Sequence, residues 1–414
     1  MMKMIKWIQA VIMLAVGCLA PGGALKASPV TYDFIDETIT RQVIQGIEHI
    51  YNLDYGPAIE IFQELIQQYP KNPIGYTYLS FALWTRELNN KKELTIGSVA
   101  SPEFFGATKR FRVLVDPKVE AEFLEVTQKA IDASKALLLE NQEDPLGLLM
   151  LGYAYGHLAS FETTLKRSWY IAFLKGDLAV KQHKRLMRRR PDVYDAYETV
   201  GTSSYVAASV SAWWLKVVAF FFRHSGDKKR GKELLRLTAE KAIFVRDDAK
   251  MLLALIATRE GNYSEAHRLL ADIQGRHQKN YLLEMDMGTL AMLMRRYDLA
   301  EQTYQAVLNK VAERKPNYFL LDKGTVYNHL GELYMKTRNF SKALLAFQNT
   351  LAEGKSDSAS LNTAHLQLGK VYDLMGDRAK ALHEYQKVVD EPTLTEGRDE
   401  ARKYLEKPYT ASRD

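Results

Sequence analysis

The chain has 414 residues, 47% of them apolar, enough to bury a continuous core and long enough for two or three globular domains. Its 56 basic and 50 acidic residues leave a net +6, and Lys3, Lys6 and Lys26 supply three of those charges, so the rest lacks the large basic field that nucleic-acid binding requires. The single cysteine, Cys18, excludes an intramolecular disulfide, a cysteine-based zinc site and an iron–sulfur cluster.

Lys3 and Lys6 precede an apolar stretch from Trp7 to Ala20, after which Pro21-Gly22-Gly23 breaks any helix and small residues offer cleavage after Ala24 or Ala27. This reads as an export signal over residues 1–27, too short for a stable bilayer span, and places the protein in a bacterial periplasm or cell envelope. An uncleaved anchor is one alternative. Lipidation is another, because Ala15-Val16-Gly17-Cys18 is similar to a lipobox.

Over residues 28–144 the first hairpin spans Tyr32 to Pro70, with Ile39, Val43, Ile47 and Ile50 on one helical face and Ile59, Phe62, Leu65 and Ile66 on the next. A helix from Ile74 to Leu88 has no clean partner, residues 89–116 read as an irregular loop, and a helix returns from Pro117 to Glu140. Residues 145–246 hold two longer hairpins. Gly152 and Ala179 are the small positions of one, split by an extra helix near Phe161 to Leu174, and Gly201 and Gly231 are those of the other. Four regular hairpins follow over 247–391, and residues 392–414 form a polar capping helix and tail.

The regular hairpins share one interval. A small residue in one helix is followed twelve positions later by a second one at Gly46/Ala58, Ala254/Ala266, Gly288/Ala300, Gly331/Ala343 and Gly369/Ala381. Close crossing of two helices needs a side chain no larger than a methyl group at each contact, so a fixed interval marks a helix pair used repeatedly. Four residues after the second small position comes a large plug: Phe62, Leu270, Tyr304, Phe347 or Tyr385.

This pattern resembles the tetratricopeptide repeat, a 34-residue helical hairpin. Starts near Asp247 and Tyr281 are 34 apart, and the next two follow at 43 and 38, which implies loop insertions. The resemblance implies an all-α solenoid of antiparallel hairpins, a right-handed superhelix of about seven or eight units with an irregular N-terminal insertion. The middle segment also resembles a group of exported bacterial repeat proteins through Asp195, Ala196, Gly201, Tyr205, Gly226, Asp227 and Gly231. It is more distantly similar to a eukaryotic group with an outer-membrane member. Neither group brings an activity.

No linear motif supports catalysis. Gly226 to Lys232 matches a phosphate-binding loop until Glu233 replaces the hydroxyl that would ligate magnesium, and the chain offers helices on both sides where that loop needs a preceding strand. The histidines lack zincin spacing, and Ser203-Ser204 lacks the second glycine of a nucleophile elbow. The reading is a protein that is not an enzyme, with no cofactor and no metal; the alternative is an enzyme whose site is brought together from separate hairpins and shows no linear motif.

In tetratricopeptide proteins the first helix of each unit lines a concave groove. The resemblance places Met251, Leu255, Met285, Thr289, Met292, Asn328, Glu332, Met335, Leu366 and Lys370 there, facing a protein or peptide partner. The methionines would form a soft apolar strip or fill gaps in the core. Two further features raise an alternative, an envelope-associated assembly or tethering factor that meets a membrane surface. Val206 to Phe222 has Lys216 as its one charge and carries Trp213, Trp214 and Phe221, and Lys181, Lys184 and Arg188 belong to a basic stripe nearby. Nucleic acid is not expected as a partner.

Overall fold

A computed structural model of the chain describes residues 31–92, 115–209, 226–353, 356–392 and 397–411. Among these residues there are seventeen α-helices, one 3-10 turn and no strand. The N-terminal half comprises α1 (Glu37–Tyr51), α2 (Tyr55–Gln68), α3 (Pro73–Asn90), α4 (Pro117–Glu140), α5 (Pro145–Thr164), α6 (Trp169–Arg189), α7 (Ala196–Ser209) and α8 (Lys228–Lys241). The C-terminal half continues with α9 (Arg246–Arg259), α10 (Tyr263–Arg276), α11 (Tyr281–Leu293), α12 (Tyr297–Ala312), α13 (Lys323–Lys336), α14 (Phe340–Ala352), α15 (Ser358–Leu374), α16 (Arg378–Asp390) and α17 (Arg398–Glu406). Every helix packs on the next one in sequence, the arrangement of an α-solenoid.

Local chemistry sets the helix starts. Asn72, Asp116 and Asp144 each precede a proline and accept a bond from a first-turn amide, at Ile74, Lys118 and Gly147 respectively. The proline lacks an N–H at a position where none would find a partner, so cap and proline together satisfy the helix end. Inside the regular hairpins the turn is equally specific. Leu53, Gly261, Arg295, Arg338 and Gly376 all adopt positive φ, and each lies seven residues after the first small position.

That turn folds the second helix back so that its plug lands on the small residue of the first. A Cβ added at Gly46, Gly288, Gly331 or Gly369 would meet the ring of Phe62, Tyr304, Phe347 or Tyr385 at 2.3 to 2.4 Å. All four rings are fully buried, each contributing on the order of 2–3 kcal/mol of apolar burial. Where the first position is Ala254, the plug is the narrower Leu270.

The longer middle hairpins obey the same rule at a stretched interval. Ala179 is buried, and four residues on His183 seats over Gly152, where an added Cβ would lie 2.1 Å from the imidazole. Gly231 is likewise followed by buried Leu235, with Gly201 packed on the Gly231 carbonyl. The separate helix expected near Phe161 to Leu174 is absent: α5 ends at Thr164, and α6 starts afresh at Trp169 after Arg167 takes a positive φ. Both helices have simply gained turns. The unpaired Ile74 to Leu88 segment is α3, which finds partners in α2, α4 and α5.

Asp195 ties the N-terminal half together. Its buried carboxylate accepts the Tyr32 hydroxyl and the amides of Ile243, Phe244 and Val245, while its carbonyl accepts Tyr153 at 3.1 Å. The Asp195, Ala196, Gly201, Tyr205, Gly226, Asp227, Gly231 series is structural in this way. Tyr205 donates to Glu260, and Asp227 caps α8 through the Arg230 amide.

Candidate functional site

The first helices of the C-terminal units carry the positions expected to line a groove, and the fold treats them unequally. Met285 and Met292, 6% and 8% exposed, belong to the core that holds Tyr304, Val307 and Val326. Met251 packs against the α9/α10 core. Thr289 donates to the Met285 carbonyl and pairs with the Tyr304 hydroxyl at 3.2 Å. Asn328 joins two units, donating to the Ser360 carbonyl at 2.9 Å and accepting from Thr350 at 3.1 Å. The capping helix α17 covers the last unit: Leu366 is buried beside Ala401, and Lys370 pairs with Glu400 at 2.9 Å beneath Tyr404 and Tyr409. Of the ten residues, Met251, Leu255, Thr289, Glu332 and Met335 keep part of their surface in solvent, together with Leu293 at the end of α11, which is 45% exposed.

The tip of the first hairpin reaches across to the C-terminal units and clasps their inter-unit turns. Tyr51 donates to Asp248 at 2.8 Å, its ring stacks on His277 at 4.9 Å, and its carbonyl accepts Asn280 at 2.7 Å. Lys279 reaches Asp54 at 2.8 Å, and Asn317 bonds both the Asn52 carbonyl and Asp54. Further along the same edge, Lys92 pairs with Asp357. Burial works against the charge on Asp54, yet Lys279 and Asn317 hold its carboxyl below the ordinary range. No sequence periodicity announced this clasp, because its members are isolated polar residues in turns.

Several titratable groups are strongly shifted, and each has a structural partner. Burial, with Glu198 and Asp247 nearby, pushes Asp248 up to about 7 against the Tyr51 bond. Burial also raises Glu198, whose oxygens accept Thr199 and Thr202, and raises Asp195 despite its four donors. His157 falls to about 3 and His183 to about 4, both through burial. No group of three or more metal-ligating side chains occurs among the described residues.

The basic stripe lies on α6. Lys181 is taken by Asp177 at 2.6 Å, whereas Lys184 and Arg188 line a cleft of about 460 Å³ between α6, α7 and α8, opposite Arg230. Trp213, Trp214, Phe221 and the export signal with Cys18 lie outside the described residues. No described helix is long and apolar enough to cross a membrane.

A family model described as tetratricopeptide repeat matches residues 50–72 and 363–393, which are α2 with its flanks and the α15/α16 hairpin. Among solved structures, the human IFIT1 dimer with m7Gppp-AAAA is 13% identical with a TM-score of 0.40, over 92% of this chain and 88% of that one. A tetratricopeptide repeat protein from Parabacteroides merdae is 13% identical with a TM-score of 0.31, over 80% and 99%. Yeast Tom70 is 14% identical with a TM-score of 0.27, over 90% and 95%. No curated relative matches the chain. The described helices, each packed on the next, form an all-α solenoid of antiparallel hairpins. Two segments of the chain, residues 50–72 and 363–393, are similar to the tetratricopeptide repeat.

Proposed function

We propose that the protein is a non-catalytic scaffold that acts after export and holds a protein or peptide partner on the open stretch of its concave face. The observation carrying this is that Leu293 is exposed and Leu255, Glu332 and Met335 are partly exposed on three successive first helices, while Met285, Met292, Asn328, Leu366 and Lys370 are buried. Apolar side chains with one carboxylate among them suit a short segment anchored by apolar residues and carrying a nearby cation. Preformed hairpins keep this surface in place before binding, so little ordering is required of the scaffold.

Recovery of partners by the mature chain tests the reading. Leu255→Glu with Met335→Glu is expected to lose them, and Leu345→Glu, at an exposed position on the second helix α14, is expected to keep them. Equal recovery by both variants would move the binding surface elsewhere. Export is read from the mature N-terminus, expected at Leu25 or Ser28, and an intact Met1 in fractionated cells would sink it.

A further inference from the structure

Residues Lys181 to Arg190 contain six cations, and the fold neutralises four of them. Lys181 binds Asp177, Arg185 and Arg189 both reach Glu143, and Arg190 is forked between Asp33 and Asp192. Lys184 and Arg188, one helical turn apart and exposed, have no acidic partner among the described residues. They are also the two that face the cleft between α6, α7 and α8. Across the cleft stands Arg230, whose acid is the exposed Glu233 of its own helix at 3.5 Å. Buried Val180, Val200 and Leu234 form the floor, Ser203 offers a hydroxyl, and no carboxylate lines the space.

Lys184 and Arg188, unpaired among the described residues, and Arg230, whose Glu233 partner lies outside the cleft lining, leave a localised positive potential around an apolar floor. We propose that this cleft takes a phosphate group borne on an apolar body, and specifically the headgroup of an anionic phospholipid. Guanidinium groups match phosphate oxygens two at a time, and the volume is that of a small-ligand site rather than of a long peptide groove. The wall helix α7 supplies Ala207 to the cleft and leads, in sequence, into an apolar run with Lys216 as its one charge through Phe222, which favours a lipid over a soluble ester as the source. The inference is independent of the concave-face reading, whose residues lie on α9, α11 and α13.

Flotation of the full mature chain with phosphatidylcholine vesicles, with and without phosphatidylglycerol, tests it. Binding is expected to require phosphatidylglycerol and to weaken about fivefold for each cation removed, so Lys184→Gln with Arg188→Gln loses about 25-fold, and Arg230→Gln adds to that. Lys129→Gln with Lys342→Gln removes the same charge elsewhere and is expected to bind like the parent. Unchanged thermal melting shows that the variants fold. Equal binding to neutral vesicles, no binding to either, or full retention by the Lys184/Arg188 variant would each overturn the proposal. Titration with inorganic phosphate and glycerol phosphate separates the sources: affinity equal to that for the vesicles would assign the cleft to a soluble ester and overturn the membrane commitment. Preferential capture of an acidic peptide would do the same.

Discussion

Gly331 and Phe347 are size-matched: a methyl group on the glycine would lie 2.4 Å from the phenylalanine ring, and the hairpin α13/α14 closes because that methyl is missing. Gly331→Ala is expected to destabilise by about 1–3 kcal/mol through overpacking. Adding Phe347→Leu should recover much of the loss, since the Ala254/Leu270 pair shows that combination in a native unit. Denaturant melts of both singles and the double form a cycle with a favourable coupling. Strictly additive losses would mean that the size match does not set the crossing.

Arg338 occupies the positive-φ turn of the same hairpin with φ 56°, a conformation that glycine adopts at the equivalent Gly261 and Gly376. Arg338→Gly is expected to stabilise by about 0.5–1 kcal/mol, because relief of left-handed strain exceeds the extra unfolded-state entropy. A lower melting temperature would count against this.

Removal of the Asp195 carboxylate should release the segment before α1. Asp195→Ala leaves the amides of Ile243, Phe244 and Val245 and the Tyr32 hydroxyl without their acceptor, and buried donors left bare cost about 1–3 kcal/mol each. The expected result is a loss above about 3 kcal/mol with early proteolysis near Tyr32. A stability within experimental error of the parent would refute the staple.

His183 makes part of the stability pH-dependent. Burial lowers its pKa from 6.5 to about 4, so between those values the unfolded chain takes up a proton that the folded one refuses. This contribution is complete above pH 6.5 and is lost as the pH falls towards 4. His183→Phe keeps a ring over Gly152 and is expected to flatten the fall in melting temperature across that window. His157, lowered to about 3, acts in the same direction, so the slope is reduced rather than abolished.

Asn317 sits at φ 67°, and its side chain holds Asn52 and Asp54. Asn317→Gly preserves the backbone and deletes the bonds. Amide exchange at residues 51–54 is expected to accelerate by about five- to tenfold, equivalent to about 1–1.5 kcal/mol, while exchange in α15 and α16 stays as before.

How much of this was legible follows from range. The small-residue interval and its plug are local, so Gly46 to Phe62 and the four C-terminal units could be read directly from sequence. In α5/α6 the signal was only half visible: Gly152 and Ala179 stood out, but the plug is a histidine, and nothing in the residue type says that its ring is buried. Asn328 and Lys370, placed in a groove by position, also join one unit to the next, and this was not legible because their partners, Ser360 and Glu400, come from other helices. Lys184 and Arg188 could be separated from the other cations of their stripe only once Asp33, Glu143 and Asp177 were placed around it. The clasp was least visible of all, since Tyr51 and Asp248 lie 197 positions apart.

That distance has a consequence for how the molecule comes apart and how it is made. A stack held by nearest-neighbour contacts alone can unravel one hairpin at a time from an end. The bond from Asn317 to Asn52, 265 residues upstream, turns the stack into a buckled belt: the leading end cannot fray until the buckle opens, and loosening an inner unit pulls against it. On the ribosome the first hairpin emerges long before Asn317 exists, so its tip stays hydrated until most of the chain has been synthesised, and fastening is a late step.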